Sequence, residues 1–113
     1  MPRDHSEIAA TYVEELRSRG REIDAARQVP QDIAERLADE GYNRICTPIE
    51  LGVIGAEPRV LAEVCEILAT GNASVAWCVF IGATSQYMFP AASPQLLEEL
   101  LETPNAITSG VFA

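Results

Sequence analysis

Lysine is missing from these 113 residues, and histidine and tryptophan occur once each. Each scarcity excludes something. His5 lies in a charged N-terminal stretch that is expected to fray, so a Ser or Cys nucleophile has no base within reach. Without lysine, Gly52-x-x-Gly55 cannot lead into a phosphate-binding Lys-Ser or Lys-Thr, and no G-x-G-x-x-G turn is present. The longest apolar run, Val75 to Ile81, has seven residues, whereas a membrane span needs about 20. Met1 to Glu7 is charged and no apolar run follows, which predicts no secretory signal. Cys46, Cys65 and Cys78 form an odd set with no C-x-x-C and no neighbouring His, so no metal site is expected. They read as reduced, mostly buried small hydrophobes of a soluble cytoplasmic protein. Asn72-Ala73-Ser74 then matches a glycosylation sequon by chance.

Basic residues are also few. Seventeen acids against eight arginines give a net charge of −9 and a pI near 4.4. Such a surface repels phosphate backbones and anionic lipid, which excludes nucleic-acid and membrane-surface roles. What remains is 48% hydrophobic and 22% charged, with a mean hydropathy of +0.05. That composition predicts one folded domain with an ordinary core.

The apolar spacing is helical. Ile8, Ala9, Tyr12, Val13 and Leu16 share one face, with Glu7, Glu14, Glu15 and Arg17 opposite, and Ile23 and Ala26 continue the stripe. A long first helix is expected, broken if anywhere at Gly20 and ended by Pro30. A short second helix spans Asp32 to Glu40, closed by Gly41. Tyr42 to Glu57 reads as an irregular apolar connector. Pro58 opens a helix with Val60, Leu61, Val64, Ile67 and Leu68 inward, ending at Gly71. Asn72 caps the next helix, which runs to about Phe89 and is apolar on every side between Val75 and Ile81, the mark of a central, surrounded helix. Ser93-Pro94 opens a last helix with Leu96, Leu97, Leu100 and Leu101 inward and Glu98, Glu99 and Glu102 outward.

After Pro104, Ile107 to Phe112 reads as a strand with nothing else in the sequence to pair with. The prediction is an all-α helical bundle over residues 1–104, with residues 105–113 beginning a missing β-domain. Paired carboxylates such as Glu14-Glu15 and Glu98-Glu99 read as solvated helix faces. The remaining candidate is the central helix, where Gly82, Thr84, Ser85 and Gln86 follow Trp77 and Phe80. It is either a core helix with a close neighbour at Gly82 and Ala83, or a pocket wall with a few polar groups in an apolar cavity.

From Gly71-Asn72-Ala73-Ser74-Val75-Ala76-Trp77 the order of features resembles the N-terminal helical domain of the acyl-CoA dehydrogenase family. The resemblance is closest to the branch of flavin-dependent two-component monooxygenases. Val29-Pro30, Leu37-Ala38-Asp39-Glu40-Gly41-Tyr42, Thr47-Pro48-Ile49-Glu50-Leu51-Gly52, Leu61 to Ala69 and Ser109 to Ala113 carry it further, over nearly the whole chain. The resemblance implies a larger flavoenzyme in which this domain walls the substrate pocket, with a middle β-domain and a C-terminal bundle holding FAD (FMN is the alternative). It implies substrate contacts from Trp77, Phe80, Ile81 and Thr84, which fall at i, i+3, i+4 and i+7. It implies the first flavin contacts at Gly110, Phe112 and Ala113. The dehydrogenase base belongs to the C-terminal domain, and no His here matches the pocket base of some monooxygenases. This chain is therefore expected to contribute no catalytic residue and to be inactive alone. Its partners would be an acyl-CoA or small aromatic substrate and the remaining domains of a homo-oligomeric enzyme. Against a dehydrogenase or an aromatic monooxygenase stands a third reading, a non-enzymatic helical interaction module.

Overall fold

A computed structural model describes residues 4–46, 55–103 and 108, with residues 87–92, 97 and 101 described by their backbone. The architecture is all-α, as the spacing predicts, and no strand occurs among the described residues. The helices are α1 (His5–Ala10), α2 (Val13–Ser18), α3 (Gly20–Ala26), α4 (Gln31–Asp39), α5 (Pro58–Gly71), α6 (Ala73–Ala92) and α7 (Pro94–Leu101), with a 3₁₀ turn at Tyr42–Arg44.

The expected long first helix is three short ones. Asp4 Oδ1 caps α1 by accepting from the amides of Ser6 and Glu7, at 3.0 and 3.2 Å. At Thr11 and Tyr12 the amides bond three residues back, to Ile8 and Ala9, and the Thr11 hydroxyl donates to the Ile8 carbonyl at 2.6 Å. A threonine hydroxyl that competes for a backbone acceptor is a local reason for the break. A second break falls at Arg19, just before Gly20. Pro30 does not end α3; Arg27 does, with a left-handed φ of 55°. Ala9, Tyr12, Leu16 and Ile23 are buried as the stripe requires, but Ala26 is exposed. His5 is not frayed. Its ring lies edge-on to Tyr42 with centroids 6.2 Å apart, and the Tyr42 hydroxyl donates to its carbonyl at 2.9 Å.

The punctuation further on follows local chemistry. Gly41 takes φ 87° after α4, a conformation that L side chains rarely adopt. Pro58 is the first residue of α5, and Asn72 Oδ1 accepts from the Val75 amide at 3.1 Å to cap α6. Ser93 Oγ does the same for the Leu96 amide in α7. α5 and α6 pack together at the centre, α1 and α2 lie on α5, and the 3₁₀ turn and α7 lie on α6. Leu16, Ile33, Tyr42, Ile45, Val64, Leu68 and Val75 form the heart of the core.

Three inward assignments are corrected. α6 is not surrounded: Trp77 and Phe80 are among its exposed side chains. Leu96 of α7 points to solvent, and Leu100 is half-buried. Of the cysteines, Cys46 is buried, Cys65 half-buried and Cys78 exposed, and all three are free thiols. The proposed strand lies outside the described residues except for Thr108, which belongs to no regular element and donates to the Gly82 carbonyl at 3.3 Å. No described helix is long and apolar enough to cross a membrane.

Candidate functional site: the outer face of the central helix

α6 extends over 20 residues without a single charged side chain. One side serves the fold, since Val75, Ala76, Val79, Ala83 and Gln86 are buried. At about 100° per residue, Trp77, Phe80, Ile81 and Thr84 fall on the arc opposite. Trp77 is 62% and Phe80 40% exposed, and their rings stack 5.8 Å apart at 30°. Ile81 and Thr84 are half-buried beside them. The helix thus presents an uncharged aromatic surface that no described part of the chain covers. Burying one such side chain is worth roughly 1.5–3 kcal/mol, so the surface favours a contact that removes it from water.

Its polar groups are few. The Thr84 hydroxyl donates back to the Phe80 carbonyl at 2.8 Å, leaving only its oxygen lone pairs facing outward. Gln86, one of the polar groups expected in the pocket, turns instead into the core at 1% exposure, and its Oε1 has no hydrogen-bond partner among the described residues. Gly82 is buried, with its carbonyl taken by Thr108.

Two clefts among the described residues lie around the helix from that arc. One of about 310 Å³ is lined by Ile23, Asp24, Arg27, Gln28, Val29, Ser74 and Cys78. A second, about 50 Å³ and almost wholly apolar, shares Val29 and Cys78 with it and reaches Leu37, Tyr42 and Val79. Trp77, Phe80, Ile81 and Thr84 line neither. Sequence reading missed the larger cleft because the left-handed Arg27 that turns the chain there also lines it, and nothing in the residue pattern marks that turn.

Charge gathers elsewhere. Arg19 bridges α2, α3 and α4 through Glu15 at 3.0 Å, Glu22 at 2.5 Å and Asp32 at 2.6 Å, and Arg36 reaches Glu15 at 2.8 Å. Hydrogen bonds from Arg36 and Arg19 hold the Glu15 carboxyl below the usual range, and those from Arg19 do the same for Asp32. Glu15 is thus a partly exposed bridging group on the helix surface, and Glu14, Glu98 and Glu99 are exposed. Arg36 also stands over the Tyr12 ring, 5.0 Å from its centroid. Among the described residues no group of three His, Cys, Asp or Glu side chains could hold a metal. Gly110, Phe112 and Ala113 lie outside the described residues.

Residues 5–102 match the family model described as the acyl-CoA dehydrogenase N-terminal domain. No curated protein and no solved structure gives a match.

Proposed function

The chain belongs to the acyl-CoA dehydrogenase family, whose N-terminal domain spans almost all of it, and from that premise we propose that α6 is the wall it contributes to a substrate pocket. The observation that carries this reading is the exposed Trp77–Phe80 stack on an uncharged helix face. An aromatic pair left in water by its own bundle suits a surface completed by substrate and by other domains. Trp77, Phe80 and Ile81 exclude water and shape the cavity, and Thr84 offers a hydroxyl oxygen as acceptor. On this reading residues 105–113 open the β-domain, and the complete cytoplasmic enzyme is a homo-oligomer.

Members of the family generally bind FAD, which accepts hydride from substrate when bound. No described residue here is assigned to the flavin, and the expected contacts at Gly110, Phe112 and Ala113 belong to this proposal. The domain supplies orientation and exclusion of water, while reacting groups come from elsewhere. Acyl-CoA is the substrate class the family favours. The stacked aromatic pair supports a second reading, a compact or aromatic substrate of a reduced-flavin monooxygenase.

The test is Trp77→Ala in the complete enzyme, assayed with short acyl-CoA, long acyl-CoA and phenolic substrates. A pocket wall shifts KM and the chain-length or ring preference by about tenfold or more, the scale of removing a large apolar contact. Unchanged preference would sink the proposal, as would tight FAD binding by residues 1–113 alone.

A further inference from the structure

Arg44 carries a charge into the interior. It sits in the 3₁₀ turn at 9% exposure, and no carboxylate among the described residues forms an ion pair with it. One terminal nitrogen donates to the carbonyl oxygens of Leu100, at 3.1 Å, and Thr103. Its Nε has no hydrogen-bond partner among the described residues. A buried cation without a counter-charge is costly, so something must offset it.

The offset lies at the far end of α7. That helix has no basic residue in its last turn. Instead it carries Glu98 and Glu99 there and Glu102 at its C-cap. Negative side chains at the negative end of a helix dipole oppose helix formation. Arg44 delivers the missing positive charge from 56 residues earlier in the chain, onto the Leu100 carbonyl, which also accepts from the Thr103 amide at 3.2 Å, and onto the Thr103 carbonyl just past the helix end. Each element carries an electrostatic fault that the other corrects.

Little else described holds α7 down. Leu96 is exposed, Leu100 half-buried, and none of its described side chains joins the core cluster. Just beyond it, Thr108 fastens the chain to Gly82, between Ile81 and Thr84 on α6. We propose that α7 is a strap on α6 that opens as a unit separate from the rest of the bundle, and that Arg44 is the positioning residue that holds it closed. Opening would bare the flank of α6 against which α7 rests, and closing would restore it without any change in α5.

Native-state hydrogen exchange on the whole chain tests this, using wild type, Arg44→Met and Arg44→Lys. In wild type the amides of α7 should exchange at least about tenfold faster than those of α5 at Leu61 to Leu68, as a low-stability unit does. Arg44→Met should accelerate α7 by about a further tenfold and leave α5 unchanged. Arg44→Lys, which retains the cation, should return part of the protection. Equal protection of α7 and α5 in wild type would overturn the strap, and that comparison stands even if Arg44→Met fails to fold. Equal losses in the Lys and Met variants would overturn the electrostatic role, and an even loss over every helix would make Arg44 an ordinary core residue.

Discussion

Gly71, the last residue of α5, lies so close to Val13 of α2 that a Cβ on it would stand 2.8 Å from the Val13 carbonyl oxygen and 3.0 Å from Leu16 Cβ. Backbone and a buried leucine cannot withdraw as a flexible side-chain tip can. Gly71→Ala should therefore destabilise the chain by about 1–3 kcal/mol, because the overpacking outweighs alanine's better helix propensity. Gly20 is the control: nothing lies within 4 Å of its Cβ position, and Gly20→Ala should be neutral or stabilising by up to about 1 kcal/mol. Urea unfolding of both variants decides. Equal midpoints would show that α2 and α5 are not in close contact at Gly71.

The Arg19 and Arg36 network sets a pH dependence with a definite sign. Glu15 and Asp32 are depressed by their arginine partners, so they contribute stability above the unfolded carboxylate range and lose it as pH falls through their folded values. The loss should begin at about pH 5 and continue downward. Acidification also relieves the self-repulsion of a chain with net charge −9, which acts in the opposite direction. The difference between wild type and Arg19→Met isolates the network. It should be largest at neutral pH, shrink toward pH about 3, and shrink with added salt, since these groups are solvent-accessible. A difference independent of pH would show that Arg19 acts by packing its stem.

The three thiols should separate by rate. Burial pushes the Cys46 thiol up, and burial together with nearby Cys46 pushes Cys65 up to about 11. Both are nearly all thiol at neutral pH, and thiolate is the reacting form. Cys78 is exposed on α6 at the edge shared by both clefts. A disulfide reagent at pH about 7.5 should modify Cys78 first, with Cys46 and Cys65 following at least about tenfold more slowly or only on unfolding. Cys78→Ser should abolish the fast phase. A fast phase that survives the substitution would place one of the other thiols at the surface.

Local rules made most of the scaffold readable in advance. Pro58, Asn72, Ser93 and Gly41 mark helix ends through chemistry confined to a few neighbouring residues, and each acts where the sequence places it. Features that depend on distant partners were hidden. Arg44 looks like an ordinary connector arginine until Leu100 and Thr103 stand beside it. Apolar residues on every side of α6 indicate what the helix avoids, water, but not which protein covers it. That is why Trp77 reads as buried from its neighbours and yet is exposed. The cut at Thr11 was equally illegible, since threonine is common within amphipathic stripes and its bond to Ile8 is a choice between two acceptable geometries.

The exposure of Trp77 can be read directly, because it is the single tryptophan in the chain. Its emission should resemble that of an indole in water and shift little on unfolding. Acrylamide should quench it efficiently. Iodide should quench less well than the neutral quencher, since a net charge of −9 repels an anion. Trp77→Ser should cost less than about 1 kcal/mol of stability despite removing a large side chain, because exposed positions away from caps and cores contribute little. Phe80→Ala should red-shift the emission slightly by removing the stacked ring at 5.8 Å. Dilution separates the ways in which the outcome could differ. A blue-shifted, poorly quenched signal that reverts on dilution would mean that copies of the chain cover the face in one another. The same signal at every concentration would mean that the chain covers Trp77 itself, and α6 would then lose its claim to an open pocket wall.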